Sequence, residues 1–310
     1  MHLKDQHPLY PCSESDKQEI RRELGMKESI LQEDIDAILD WFNKQAHLVH
    51  APIDRDHIEK LLISTNGSRE KTKRRIDNFY KYRSQAPELV LSRREVLTNP
   101  LYNGWSFYHQ AAMFELYEKK RLSIFKITDP DPSKFDADVI FRNTIMLGDL
   151  RLKFDYMLGE IWIMDLENVS FGHILRVNPT TIQKFMNIIQ DGVGFKMFEI
   201  HFINVSSFGQ HVVNFLKQFV KPKIMERFVC HENSENLHKY IPKKYLPKDY
   251  GGEQPSLNDM KAILRKELLK DLSKNYLLEC CQQLSDESKR MGTKYQEEHL
   301  VGSFKKLEFD

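Results

Sequence analysis

Acidic and histidine side chains come together at three places in the sequence, and each pairing has the residue types for metal or acid-base chemistry. His47 and His50 are one helical turn apart, a spacing that can chelate a metal ion. His231, with the glutamate that follows it, has the composition of an acid-base pair, and Asp165 and Glu167 form a close pair of carboxylates. None of these pairs has a third partner at the spacing of a known motif. We therefore interpret the histidines as surface or capping residues and expect no metal site.

Enzyme motifs are missing from the sequence. It contains no GxSxG nucleophile elbow, no GxxxxGK[ST] phosphate loop, no GxGxxG after a predicted strand and no HExxH. Cys12, Cys230, Cys280 and Cys281 fit neither a disulfide framework nor a CxxC site, so we expect four reduced thiols. The chain is expected to be no enzyme and to need no cofactor.

Charge and hydropathy narrow the class of partner. Lys and Arg number 46 against 45 Asp and Glu, so no overall field attracts nucleic acid or an anionic surface. The N-terminal residues include no apolar signal segment, and no run approaches the roughly 18 apolar residues of a spanning helix. We expect a cytoplasmic monomer that binds no nucleic acid and meets membranes only transiently and peripherally.

The elements that must position any site fall into two regimes. From Ser29 to Leu89, apolar residues recur at helical spacing, which predicts a small all-helical unit, and Trp105–Tyr117 is predicted as a further helix. After that, predicted strands and helices alternate, which indicates βαβ units. The predicted strands are 122–127, 161–164 and 195–203; the predicted helices are 136–157, 178–190 and 208–220, followed by one long or two joined helices over 257–289.

Two of these helices have unusual faces. Phe141, Thr144, Ile145 and Gly148 share one face that includes two small residues, which favours either a cavity or the close approach of a strand. The helix at 208–220 has an apolar stripe, which by itself is typical of core packing. Weak helix formers precede it and basic residues follow it, as expected for a hinged element at a membrane. The stripe is Phe208, Val212, Phe215, Leu216 and Phe219; the basic residues are Lys217, Lys221, Lys223 and Arg227.

Several segments, in order and spacing, resemble the CRAL-TRIO family. They are Ile163–Glu167 (IMDLE), Ile200–Asn204 (IHFIN), Tyr240–Pro242 (YIP) and Leu246–Gly252 (LPKDYGG). The earlier segments Ile76–Tyr80 and Arg83–Leu89 resemble the helical N-terminal domain of the animal branch, whose members carry tocopherol or retinaldehyde. The resemblance covers roughly residues 30–255.

The resemblance implies an α/β fold: a mixed, largely parallel sheet flanked by helices, with a mobile lid helix and a small all-helical N-terminal domain. We expect a leader over 1–28, the helical domain over 29–95, the lipid-binding domain over 96–255 and a charged helical extension over 256–310. Asp165 and Glu167 would then end a strand and make structural hydrogen bonds. Asn168 stands where relatives usually have glycine, a turn position that Asn tolerates.

The resemblance also implies the site residues. Basic residues at the positions of Lys196, Lys223 and Arg227 bind phosphoinositide headgroups in the tocopherol-carrier branch. Leu62–Gly67 occupies the place of a basic segment in relatives, which makes this headgroup site incomplete. The cavity wall would comprise Phe141, Thr144, Gly148, Trp162, Met164, Val177, Phe185, Ile188, Val193 and Ile200, closed from the lid by Val212 and Leu216.

The function implied is intracellular binding and transfer of one small hydrophobic lipid, such as tocopherol (vitamin E), a retinoid or a similar isoprenoid, with release at membranes aided by phosphoinositides. Two alternatives stay open: a scaffold that recruits partners to membranes, and transfer of a phospholipid of the phosphatidylinositol type. We favour a neutral isoprenoid because the predicted wall offers no buried cation for a phosphate.

Overall fold

A computed structural model describes residues 7–48 and 51–291 of the chain. His50, the first six residues of the predicted leader and residues 292–310 of the predicted C-terminal extension lie outside the described residues.

Six helices form the N-terminal part of the structure. Helix α2 buries Leu31, Ile35, Ile38 and Phe42, which recur every three or four residues and so line one face of the helix. These side chains join a core that continues into the rest of the molecule. The helices are α1 (Glu14–Glu23), α2 (Glu28–Asn43), α3 (Arg55–Ser64), α4 (Arg69–Gln85), α5 (Pro87–Val90) and α6 (Arg94–Thr98).

A five-stranded sheet follows, with its strands in chain order. Strand β1 pairs antiparallel with β2, and the pairs β2–β3, β3–β4 and β4–β5 are parallel. The sheet is therefore mixed and largely parallel, and the predicted fold class is confirmed. The strands are β1 (Tyr108–Ala112), β2 (Lys120–Ile127), β3 (Gly159–Asp165), β4 (Met197–Ile203) and β5 (Phe228–Cys230).

The predicted helix over Trp105–Tyr117 is wrong, because this segment contains β1. Its backbone pairs along β2 from Tyr108 opposite Ile127 to Ala112 opposite Ser123. An edge of unpaired backbone groups on β2 is available to this segment, and pairing with that edge outweighs the local helical pattern.

Helices supply the crossovers that parallel strands require. Helix α7 connects β2 to β3, two helices connect β3 to β4, and α10 leads from β4 towards β5. The C-terminal segment is two helices rather than one. The bounds are α7 (Ala137–Phe154), α8 (Phe171–Leu175), α9 (Pro179–Asn187), α10 (Ser207–Lys217), α11 (Pro222–Met225), α12 (Leu257–Leu268) and α13 (Asp271–Cys280).

Helix α7 is held by a buried ionic network on the side towards the N-terminal helices. Asp149 accepts two hydrogen bonds from Arg83 of α4, both at 2.9 Å, and is also paired with Arg93. Arg83 donates to the carbonyl of Cys280 at the end of α13, at 2.9 Å. Burial alone would raise the pKa of Asp149, but the two guanidinium groups hold it below its usual range. The network ties α7 to the N-terminal helical part through Arg83 and Arg93 and to α13 through Cys280.

Candidate ligand-binding cavity

A cavity of about 310 Å³ lies between the sheet and the helices α7, α9 and α10. Strand β3 divides its side chains between the cavity and the core on the other face of the sheet. Trp162 and Met164 line the cavity, whereas Ile161 and Ile163 pack in a separate buried cluster. The strand is apolar on both faces because each face is covered, as its sequence predicted.

Helix α7 lines the cavity with the face that carries small residues. Phe141 stacks on Phe185 of α9 with ring centroids 4.4 Å apart, and Thr144 donates a hydrogen bond to the side-chain oxygen of Gln110 at 3.1 Å. A Cβ atom added at Gly148 would lie 3.6 Å from the methyl groups of Val193, an ordinary contact. No close strand explains this glycine, since its nearest neighbour is that side chain. The cavity interpretation of this face is the one that the geometry supports.

Helix α10 covers the cavity. It buries Val212, while Phe215 and Leu216 remain half-buried on the cavity wall. At its N-terminal end, Ser206 accepts a hydrogen bond from the backbone N–H of Gly209 at 3.1 Å and caps the helix. Asn204, just before it, has a left-handed backbone (φ 55°). The cover therefore begins at a sharp change of chain direction.

Asp165 holds that change of direction in place. Its Oδ1 accepts hydrogen bonds from the side-chain amide of Asn204 at 2.8 Å and from the backbone N–H of Glu167 at 3.0 Å. Its Oδ2 accepts from the hydroxyl of Tyr250 at 2.9 Å. The Asp165 carboxylate is thus engaged in structural hydrogen bonds, whereas the Glu167 carboxylate is exposed and paired with Lys126.

All but one of the predicted ligand-binding residues line the cavity. The exception is Ile188, which is buried (1% exposed) in the main core. It begins a π-helical turn, Ile188–Val193, that packs against α4, where a Cβ added at Gly192 would lie 3.2 Å from the Cα atom of Phe79. Ile189 and Val193 of this turn reach the wall instead. Ligand contact by the predicted residues stays a prediction.

One end of the cavity is polar, which the sequence analysis missed. Arg151 and Glu160 both lie on the wall, are buried and form an ion pair with each other. The indole N–H of Trp162 donates to Glu160 at 2.6 Å. The expectation that the wall holds no buried cation is therefore wrong.

The charge of Arg151 is nevertheless balanced within the wall. Its Nε donates to Asp155 at 3.1 Å, and Arg121 pairs with the same carboxylate at 2.7 Å. Two guanidinium groups thus face two carboxylates. A signal for this network existed in the sequence, because Arg151 follows Thr144 by seven residues and so shares its helical face, and Glu160 alternates with Trp162 and Met164.

Outside the cavity, the structure brings Lys196, Lys223 and Arg227 together. The pKa of Lys196 is lowered by burial first, and then by the nearby positive charges of Arg227, Lys120 and Lys223. Its ammonium group also donates to the side-chain oxygen of Asn66 at 3.0 Å. The segment that lacks the basic residues of relatives therefore lies beside this cluster and contributes a neutral acceptor to it.

The interpretation of the candidate histidines as surface or capping residues is wrong for His47 and His231, which are buried and hydrogen-bonded to side chains. His47 bonds to Asp77 at 2.7 Å, and His231 bonds to His201 at 2.8 Å. His201 also bonds to Glu199 at 2.8 Å. Over residues 7–48 and 51–291, no group of three or more His, Cys, Asp or Glu residues is arranged to hold a metal ion.

Comparison with protein families bears directly on this architecture. The family model described as CRAL/TRIO domain matches residues 117–252, from the turn before β2 to the glycines after β5. Residues 117–252 of the chain are therefore a CRAL/TRIO domain. A second model, described as Pinta-like, UBA domain, matches residues 27–98, which hold α2 to α6.

Similar proteins include alpha-tocopherol transfer protein-like and clavesin-2. Mouse alpha-tocopherol transfer protein-like is 22% identical over 269 residues, 81% of this chain and 74% of its own. Human clavesin-2 is 23% identical over 244 residues, 76% of this chain and 73% of its own. The crystal structure of Sfh5 aligns with 84% of this chain and all of its own at 15% identity and a TM-score of 0.47.

The CRAL/TRIO match does not include the whole cavity. Gln110 and Ala112 of β1 and Met260 and Leu264 of α12 line it from outside residues 117–252. Within the described residues, no helix is long and apolar enough to cross a membrane.

Proposed function

We propose that this chain binds one small lipophilic molecule in the cavity and transfers it between membranes without chemical conversion. The observation that carries the proposal is the largely apolar cavity covered by an amphipathic helix. Each 100 Å² of apolar ligand surface buried there contributes about 2.5 kcal/mol to binding, before the cost of association. The name of the mouse relative, alpha-tocopherol transfer protein-like, agrees with a ligand of this class.

The proposed ligand is a neutral isoprenoid of the tocopherol or retinoid type. A phospholipid needs cations for its phosphate, and Arg151, the cation on the wall, is already paired with Glu160 and Asp155. Binding a phosphate would leave those carboxylates buried and unpaired, which is strongly unfavourable.

The proposed site of release is a membrane surface that carries phosphoinositides. Lys196, Lys223 and Arg227 form a cationic cluster suited to a phosphorylated headgroup, with Asn66 as a further polar contact. Helix α8 offers an apolar contact, since Phe171 and Leu175 are 50% and 70% exposed while Ile174 of the same helix lines the cavity. A bilayer in contact with Phe171 and Leu175 would therefore lie close to a ligand in the cavity.

Mass spectrometry of an organic extract from the natively purified full chain tests the proposal. We expect a neutral isoprenoid in stoichiometric amount, and less of it from Gly148→Leu, in which a larger side chain occupies part of the cavity. A stoichiometric phospholipid would contradict the ligand class. Protein that retains no lipid and takes none up from vesicles would instead be a scaffold, and turnover of a lipid ester would make it an enzyme.

A further inference from the structure

The buried ion pair of the cavity wall, Arg151 with Glu160, lies at one end of the sheet. In the register of β2 and β3, Arg121 lies opposite Glu160, and Ser123 lies opposite Trp162. The next cavity-facing row, Phe125 opposite Met164, is apolar. A bound molecule therefore meets the ion pair at the N-terminal ends of these strands. In the next row it meets apolar side chains together with Gln110, which lies opposite Phe125 and accepts the hydrogen bond from Thr144.

Glu160 is the acceptor at this polar end. Its Oε1 is bonded to Arg151 and accepts from the hydroxyl of Ser123 at 3.2 Å, and its Oε2 accepts from the indole of Trp162 at 2.6 Å. A carboxylate oxygen has two acceptor positions, so Oε2 retains one. The guanidinium and indole beside it can only donate. An additional group that reaches the free position of Oε2 must therefore be a hydrogen-bond donor.

We propose that Glu160 determines specificity by accepting a hydrogen bond from a hydroxyl group at one end of the ligand. The inference rests on the proposed lipid-carrier function and narrows its ligand to a lipophilic alcohol or phenol. An ether or ester of the same skeleton leaves the acceptor unused, and a carboxylic acid brings a second negative charge to it.

Binding of three related probes to the full chain tests this inference: farnesol, farnesyl methyl ether and farnesoic acid, each titrated by isothermal calorimetry. A hydrogen bond to a charged acceptor predicts that the alcohol binds about tenfold to a hundredfold more tightly than the ether. The acid is expected to bind more weakly than the ether. Equal affinities for alcohol and ether overturn the role of Glu160 and leave lipid carriage intact, whereas failure to bind any of the three counts against the proposed function itself.

Two substitutions test which residue of the cavity wall produces the preference for the alcohol. Glu160→Gln keeps the side-chain size but has a single acceptor oxygen for Arg151, Ser123 and Trp162, so its preference for alcohol over ether is expected to fall to within about threefold. Thr144→Val tests the other hydroxyl contact on the wall. Because that hydroxyl bonds to Gln110, its loss is expected to change the affinities for alcohol and ether equally and to keep their ratio. Loss of the preference in Thr144→Val alone would place the ligand hydroxyl at Gln110 and overturn the inference. If Glu160→Gln does not fold, the ratio of alcohol affinity to ether affinity measured for the unmodified chain tests the inference.

Discussion

The side chain of Gln190 accepts a hydrogen bond from the backbone N–H of Lys221 at 3.0 Å, just beyond the C-terminal end of the cover helix α10. Its amide nitrogen also donates to the carbonyl of Phe219 at 2.9 Å. Asp191, the next residue of the turn Ile188–Val193, also pairs with the ammonium group of Lys221, so two side chains of this turn fasten this end of the cover. Opening of the cover at this end would break these contacts.

Gln190→Ala is expected to accelerate ligand release roughly thirtyfold, since the two lost hydrogen bonds each contribute about 1 kcal/mol to the closed state. Stopped-flow transfer of a fluorescent lipophile to neutral vesicles measures the rate. Gln183→Ala is the control, because this side chain bonds to Asn187 on its own helix α9. Unchanged release from Gln190→Ala would show that opening does not involve this end.

The cationic cluster predicts a different kinetic effect. Lys223→Ala combined with Arg227→Ala should slow transfer to vesicles that contain phosphoinositide and leave ligand uptake from detergent unchanged, because the cluster lies outside the cavity wall. The difference should shrink as salt is raised. Lys243→Ala with Lys248→Ala removes the same charge from exposed positions elsewhere and should transfer normally. Equal slowing in both double variants would mean that only net charge matters.

The network around Asp149 predicts a large effect on stability. Asp149→Asn leaves Arg83 and Arg93 buried without their carboxylate, and breaking a buried ion pair by removing one partner lowers the free energy of unfolding by about 3–5 kcal/mol. Urea unfolding followed by circular dichroism measures this change. Asp129→Asn, at a carboxylate paired with exposed Lys134, should change it by less than about 1 kcal/mol. A similar small change in both variants would contradict the proposed importance of the network.

Lowering the pH should destabilise the fold, because His201 of β4 and His231, just after β5, are buried and hydrogen-bonded to each other. Burial lowers the pKa of His201 below the ordinary value of 6.5 despite Glu199, and burial followed by the charge of His201 lowers that of His231. The unfolded chain therefore binds protons first as pH falls, so the free energy of unfolding is full above pH 6.5 and declines below it.

Urea unfolding across pH 7.5 to 5 checks this dependence. His231→Gln should flatten part of the decline, because a neutral amide replaces one of the two titrating rings, and His211→Gln, at an exposed position of α10, should keep it. Buried histidines elsewhere, such as His7, have pKa shifts of the same sign and should leave a residual slope. Identical slopes in the unmodified chain and His231→Gln would exclude a contribution from the pair.

Sequence patterns correctly predicted the elements whose structure depends on local signals within the element itself. The continuous apolar run at Ile161–Met164 gave β3, and Asn178 before Pro179 marked the start of α9 because a cap and a first-turn proline are local signals. The prediction of a helix around Tyr108 was wrong because the structure of this segment depends on its partner strand, β2. Ile188 was misplaced for a related reason, since its π-helical turn fits against α4 and that fit is not encoded in spacing.

The polar end of the cavity shows a second limit of sequence patterns. Arg151 and Glu160 come from different elements, and Arg151 taken alone resembles a basic residue in the last turn of a helix. Their pairing depends on how α7 lies across the sheet. Arg151 follows Gly148 by three residues, so helical spacing places it on the cavity side of α7. Only the structure shows that carboxylates pair with its charge there.

Side chains of β3 alternate between the two faces of the sheet, so neighbouring residues are constrained by different surroundings. Ile161 and Ile163 hold the sheet to its other covering layer, while Trp162 and Met164 shape the space for the ligand. Substitutions at 162 and 164 can therefore alter which molecule fits with little effect on the opposite core. A single strand in this arrangement lets the ligand range of such a protein diverge by small steps while its scaffold is conserved.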